Sequence, residues 1–397
     1  MKKVAIIGGG IVGLAIAYKL SEHKNIKSIL FEKENKLGKH QSGNNSGVLH
    51  CGLSYTPGSL KAELAVKGIE EMTSFCRKYN IEHDICGKVV TANEDYEIKN
   101  LLATAEKGKR NGLKNLKFLS NEELKRREPN IKAKKALLVP QEGIVNYSHV
   151  MDKLSELIIE NDGEIHLGNE VTSIQKKVNG TSRLQYGEKE IEVNLVINCS
   201  GLYSDRIYNK LTKKKRPLRI IPFRGEYMRF KSEYKDLIRH MVYPVADPNF
   251  PFLGVHIHRL MDGNREIGPN AVLALSREGY KNTDMNIKDI VDIVTYQGMR
   301  KFISKNFLFA LNEFKSSLSI DDFIKKGQKL FPDLNKGMIE KGGAGVRAQA
   351  MDFSGNLIMD FNIVSYEGQL HILNAPSPGA TASLAIADYI INEYIIN

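Results

Sequence analysis

The chain has 397 residues, 42% of them hydrophobic and 26% charged, which excludes an extended disordered chain and a small disulfide-stapled module, and allows two domains. Its formal charge of +11 comes from scattered lysines, with one run at Lys213-Lys214-Lys215-Arg216, so the expectation is a solvated basic surface with mild attraction for anionic substrates or membranes rather than a nucleic-acid face. Cys51, Cys76, Cys86 and Cys199 show neither CxxC nor zinc spacing, which predicts free thiols in a reducing compartment and no metal.

In chain order, Val4-Ala5-Ile6-Ile7 is predicted as a strand running into Gly8-Gly9-Gly10-Ile11-Val12-Gly13, then a helix to Leu20 and a second strand, Ser28 to Phe31, ending at Glu32. This is a βαβ unit with dinucleotide spacing. Gly8 serves the tight turn, Gly10 lets a pyrophosphate reach the backbone, and Gly13 lets helix and strand pack. The amides of Gly10, Ile11 and Val12 open the helix toward phosphate, and Glu32, with Lys33 beside it, is placed for an adenosine ribose. The glycines and Lys19 break the apolar run after Met1-Lys2-Lys3, which speaks against a signal peptide or a membrane span there.

A polar, glycine-dotted loop, His40 to Gly52, follows. Helices are predicted over Leu60–Tyr79, with Leu64, Ile69, Met72 and Phe75 on one buried face, over Glu94–Asn111, and over Tyr147–Glu160. Strands are predicted at Gly87–Ala92, Glu164–Leu167, Val171–Gln175 and Ile191–Asn198, the last ending in the small-residue break Cys199-Ser200-Gly201. From Pro222 to Ala274 short alternating strands point to an antiparallel sheet, and Asn286 to about Leu330 reads as mostly helical. The glycine turn Gly342–Arg347, a strand pair around Asn356–Met359 and Leu370–Leu373, and a terminal helix to Ile395 opened by the loop Asn374–Ser383 complete the chain.

Taken together, Gly8-x-Gly10-x-x-Gly13 with Glu32, Asn45-Ser46-Gly47-Val48-Leu49-His50-x-Gly52, Pro222-Phe223-Arg224-Gly225-x-Tyr227, Phe252-Leu253-Gly254-Val255-His256, Gly268-Pro269-Asn270-Ala271, Gly345-Val346-Arg347-Ala348-Gln349 and Asn374-Ala375-Pro376-Ser377-Pro378 resemble the L-2-hydroxyglutarate oxidase or dehydrogenase family, within the D-amino-acid oxidase-like flavoproteins. The resemblance covers essentially the whole chain. It implies an α/β protein with a Rossmann-like FAD-binding domain assembled from residues 1–85, 146–220 and 338–397. An α+β substrate-binding domain with an antiparallel sheet would comprise 86–145 and 221–337. It also implies FAD, held noncovalently, with a covalent link through His50, as in sarcosine-type dehydrogenases, as the alternative. Ser46, Gly47, Val171, Ser200 and Gly201 are carried over as cofactor contacts, and Gly379, Ala380 and Thr381 as amides at the flavin pyrimidine end.

Oxidising a 2-hydroxy acid requires a cation for the carboxylate, an acceptor for the hydroxyl proton, and positive character near the flavin. Arg347 matches the carboxylate-forking arginine of the superfamily, against the alternative of an ordinary ion-pairing arginine. His256, in an apolar strand with Leu253 and Val255 as neighbours, is a candidate base or a satisfied core histidine; His258 shares its face. His50 is an alternative base or a flavin contact. Arg224 and Tyr227 either bind the second carboxylate of a five-carbon diacid or hold the sheet together. The expected reaction is FAD-dependent oxidation of L-2-hydroxyglutarate to 2-oxoglutarate, with oxygen or a membrane quinone as acceptor, in a cytoplasmic protein or one peripheral on the inner face of the membrane, with no transmembrane segment. A glycine or D-amino-acid oxidase is the near alternative. A flavin-dependent RNA-modifying or RNA-binding protein is the distant one, and the absence of a compact basic patch speaks against it.

Overall fold

A computed structural model describes residues 1–247, 254–305 and 319–396; the expected roles of Phe252, Leu253 and residues 306–318 lie outside the described residues. A six-stranded sheet is drawn from three distant stretches. Lys2–Ile7 lies between Ile26–Phe31 and Leu195–Asn198, all parallel, with Val4 opposite both Ser28 and Leu195. Glu164–His166 extends one edge, and the hairpin Gln369–Asn374 with Asn362–Tyr366 extends the other.

The strand Lys2–Ile7 is buried from Val4 onward because helices cover its face. The helix Ile11–Ser21 is apolar nearly all round and buried between the Ser383–Ile391 and Tyr147–Glu160 helices. The carboxyl ends of Lys2–Ile7 and Leu195–Asn198 lie side by side where the chain departs in opposite directions, which is where open α/β sheets bind ligands.

A second, mostly antiparallel sheet of nine strands stands beyond this point. Its spine is the antiparallel pair Arg219–Phe230 and Ile339–Met351, with Phe223 opposite Arg347 and Gly225 opposite Gly345. His256–Arg259 pairs with Arg265–Gly268, and Met241–Pro244 runs parallel to Lys88–Ala92.

Several elements depart from the sequence reading. Ile191–Asn198 is two strands in different sheets, Lys189–Val193 and Leu195–Asn198, parted at Asn194, whose amide donates to Lys3 O at 2.8 Å. The Gly342–Arg347 turn is instead the interior of a strand, whose register slips where Gly342 and Gly343 lie opposite Tyr227; a Cβ on Gly345 would stand 2.6 Å from Asn44 O, so that glycine serves close backbone approach. That strand also belongs to the nine-stranded sheet, although the 338–397 segment was assigned to the nucleotide side. Asn356–Met359 forms no strand beyond a single bridge at Leu357, because Asp352 Oδ1 accepts the Ser354 and Asn356 amides and turns the chain; the hairpin partner is Asn362–Tyr366. The loop over His40–Gly52 contains a short strand, Val48–Leu49, paired with Gly143–Val145.

Candidate active site

A cavity of about 1110 Å³ opens between the two sheets, just above the usual range for a single ligand site. Its first end is made of backbone. A Cβ on Gly13 would meet Gly8 O at 2.0 Å and one on Gly8 would meet Cys199 O at 2.6 Å, so both glycines serve packing. Gly10 is different: a Cβ there would meet only Ser42 Oγ, at 3.1 Å, and Gly10 lines the cavity. It precedes the helix Ile11–Ser21 with no side-chain cap, and the Ile11 amide is held by Ser42 Oγ at 3.0 Å. Glu32 is buried, accepting the Gly9 amide on Oε2 at 2.7 Å and the Glu34 amide on Oε1 at 2.9 Å, and it fixes the turn while lining the cavity. Glu34, His40 and Glu278 cluster at this end, where Lys33 pairs with both acids and Lys39 pairs with Glu34.

The other end is made of side chains from distant strands. His256 is buried and stacks on Tyr243 with ring centroids 4.0 Å apart; its Nδ1 donates to Gly254 O at 3.0 Å, which leaves Nε2 as the acceptor nitrogen. Burial above all, then His258, Arg347 and His50, holds this imidazole well below its usual range and therefore neutral; the Gly254 hydrogen bond opposes them. Tyr227 is pushed upward by burial, against the lowering effect of Arg347, and stays protonated. Lys88 Nζ lies 4.9 Å from the Tyr243 ring centre and 2.7 Å from Glu142 Oε1, and Glu142 Oε2 is 3.5 Å from His50 Nδ1. Burial would raise the Glu142 carboxyl, but the charges of Lys88 and His50 outweigh it and bring it down to about 2. The result is one wall of contacts from His50 through Glu142, Lys88 and Tyr243 to His256.

The cavity gathers Gly8, Gly10, Ile11, Val12, Glu32, Lys33, Ser46, His50, Val171, Ser200, Gly201, Gly379, Ala380 and Thr381 from the nucleotide set, and Tyr227, His256 and Arg347 from the substrate set. Three predicted residues do not line it. Gly13 packs beneath the turn, and Gly47 has its oxygen on the Val145 amide at 2.8 Å. Arg224 turns away: its guanidinium is 3.3 Å from Glu226 and donates to Lys281 O at 3.1 Å. Gly379, Ala380 and Thr381 form the turn before the last helix, which begins at Ser383. Thr381 Oγ1 is 2.7 Å from Tyr147 OH and accepts the His50 amide at 3.2 Å, tying this turn to the His50 loop.

Sequence reasoning missed Glu142, Lys88 and Tyr243. Pro140-Gln141-Glu142-Gly143 has the composition of a solvated turn, and only Lys88, a lone charge in an otherwise uncharged five-residue strand buried throughout, carried a signal.

Residues 3–393 match the family model of the DAO, FAD dependent oxidoreductases. The chain belongs to this family. Among its relatives are an L-2-hydroxyglutarate dehydrogenase from Indibacter alkaliphilus, 44% identical over 97% of this chain and 96% of that protein, and one from Escherichia coli K12, 38% identical over 99% and 93%. The human mitochondrial L-2-hydroxyglutarate dehydrogenase is 40% identical over 98% of this chain and 88% of that protein. Among solved structures, the dithionite-reduced L-α-glycerophosphate oxidase of Mycoplasma pneumoniae with FAD bound superposes with a TM-score of 0.78 at 24% identity, over 99% of this chain and 94% of that one. Glycine oxidase of Geobacillus kaustophilus gives 0.73 at 16% identity, over 99% and 94%. These two likenesses speak for the DAO fold. The residues present fit the family's FAD: the open face at Gly10, the start of the helix at Ile11 and Val12 and the buried Glu32 form a cradle for a dinucleotide, and the cavity runs on from there to Arg347, His256 and His50.

Proposed function

We propose that the protein oxidises L-2-hydroxyglutarate to 2-oxoglutarate, handing the electrons on to oxygen or to a membrane quinone. The observation that carries the reading is one cavity that joins a dinucleotide cradle to an arginine and two imidazoles, in a chain 38–44% identical to L-2-hydroxyglutarate dehydrogenases over nearly its whole length. Bound FAD, noncovalently held, supplies the two-electron acceptor. Arg347 presents a planar fork suited to the substrate's α-carboxylate. His50 and His256 each offer a ring nitrogen for the hydroxyl proton, and Tyr227 offers a phenolic O–H for an oxygen of the diacid. We assign the cofactor unit to residues 1–85, 146–220 and 338–397 and the substrate unit to 86–145 and 221–337, with Ile339–Met351 as the strand that joins them. Anaerobic mixing with each enantiomer of 2-hydroxyglutarate tests the reading. The L form alone is expected to bleach the flavin absorption band; indifference to both, or bleaching by glycine or D-amino acids instead, overturns it.

The acceptor question is joined to location. Among the described residues no helix is long and apolar enough to cross a membrane. The helix Ile287–Val294 nonetheless exposes Ile287 (80%), Val291 (50%) and Val294 (55%) on one stripe beside Met285 (66%), flanked by the exposed Lys281 and Lys288. An apolar stripe edged by cations suits the surface of an anionic bilayer, and we propose that this face seats the protein peripherally on the inner face of the membrane in the cytoplasm. Flotation with anionic vesicles should retain the protein and lose it in Ile287→Asp/Val294→Asp; equal flotation of both removes the proposal.

A further inference from the structure

The proposed chemistry leaves two imidazoles competing for one role and does not use Glu142. This carboxylate is 1% exposed although it sits in a turn of surface composition. Its Oε1 accepts Lys88 Nζ at 2.7 Å and the Cys51 thiol at 3.4 Å. Its Oε2 is buried with no close hydrogen bond, and His50 Nδ1 stands 3.5 Å from it, at ion-pair distance. A buried ion pair stabilises a fold no more, and often less, than an apolar pair of the same volume, and an unsatisfied buried oxygen costs further. A carboxylate with one oxygen anchored and the other aimed at an imidazole on the cavity wall is the arrangement that orients a general base and stabilises its protonated form.

We propose that Glu142 is a positioning residue that makes His50, rather than His256, the acceptor of the substrate's hydroxyl proton, with Lys88 holding the carboxylate in place. The inference rests on the hydroxy-acid reading above. In the step, the substrate O–H bond breaks and its proton bonds to His50 Nε2, while the α-hydrogen leaves with its electron pair to FAD and the carbon–oxygen double bond forms. The new imidazolium then donates from Nδ1 to Glu142 Oε2, a charge-assisted bond that closes the present gap.

His256 lacks this arrangement: the charged groups acting on it, His258, Arg347 and His50, oppose a further positive charge, and its Nδ1 is backed only by the neutral Gly254 O, not by a carboxylate. The groups facing His50 differ. Glu142 faces it from the turn before the Gly143–Val145 strand, with Lys88 behind it on Lys88–Ala92, Cys51 adjoining in its own loop, His256 across the cavity, and Thr381 Oγ1 on its backbone amide.

The test uses the full-length, FAD-loaded protein and the variants Glu142→Gln and Glu142→Asp; the second keeps a charge for Lys88 and withdraws it from His50. Two readouts are combined: the acid limb of the pH profile for flavin reduction by L-2-hydroxyglutarate, and the NMR titration of His50, its signal identified by loss in His50→Gln. In Glu142→Gln both should move down by about 1 pH unit, as expected for loss of an opposite charge within a few ångströms. Flavin reduction near neutral pH should fall roughly 100-fold, the scale of general-base assistance, with FAD absorbance and KM retained. Glu142→Asp should move both readouts the same way by less, and it carries the test if the glutamine variant does not fold. An unmoved His50 titration in FAD-loaded variants, or an effect confined to KM, overturns the proposal. Failure of L-2-hydroxyglutarate to reduce the wild-type flavin overturns the hydroxy-acid reading instead, and the His50 titration still decides the Glu142 contact.

Discussion

The two ends of the cavity are built by opposite means. At the nucleotide end, backbone does the binding: a helix terminus, glycines that admit close approach, and one carboxylate that braces the turn through the Gly9 and Glu34 amides. At the substrate end, backbone only carries side chains, and Arg347, His256, Lys88 and His50 reach one space from four separate segments. The lesson is that the first end fails by distortion and the second by deletion. Substitutions at the two ends should therefore separate folding, cofactor affinity and substrate capture.

The largest separation is expected from Arg347→Ala. Loss of a forked charge pair to the α-carboxylate should cost about 3 kcal/mol, or roughly 150-fold in kcat/KM, while the protein stays yellow. Steady-state kinetics beside the bound-flavin spectrum measures both, and near-normal kcat/KM would remove the carboxylate clamp from this strand. A smaller effect should split the glycines. Gly13→Ala forces a Cβ to 2.0 Å from Gly8 O and should destabilise the apoprotein by about 2 kcal/mol, seen as a fall in Tm of several degrees. Gly10→Ala meets only Ser42 Oγ at 3.1 Å; it should leave the apoprotein's Tm nearly unchanged and weaken FAD binding about tenfold, or about 1.4 kcal/mol. Equal effects of the two substitutions on the apoprotein would erase the distinction between a packing glycine and a ligand-facing one.

The same contrast explains what could be read from the sequence. The βαβ unit was legible because its spacing is local, with Gly13 packed on Gly8 O and Glu32 on the Gly9 amide within one turn, one helix and one adjoining strand, even though Gly8 also packs on the distant Cys199. The long helices were legible too, since Leu64, Ile69, Met72 and Phe75 recur on one face and are all buried. Arg347 and His256 stood out only through resemblance to a family, because an arginine in a glycine-dotted strand has no pattern of its own. Glu142 was illegible: its environment is set by Lys88 and His50, residues 54 and 92 positions away, and nothing near it marks burial. Arg224 is the converse case, a motif residue with two readings whose partner, Glu226, two residues along its own strand, favours the one in which it holds the sheet together. Likewise, glycines at 342–345 suggest a turn to any local reading, whereas they lie within the strand paired with Arg219–Phe230 and mark the place where its register slips, between Glu226 and Met228.

That register has an implication for selectivity. Arg347 lies within the 13-residue strand Ile339–Met351, paired along much of its length with a neighbour of 12 residues, so the guanidinium is mounted on a beam rather than a hinge. A fixed anchor adds little ordering entropy when an anion docks, but it cannot follow a substrate of the wrong length. Discrimination among hydroxy acids then falls to the distance from that beam to the opposite wall, which makes the site a gauge of carbon-chain length.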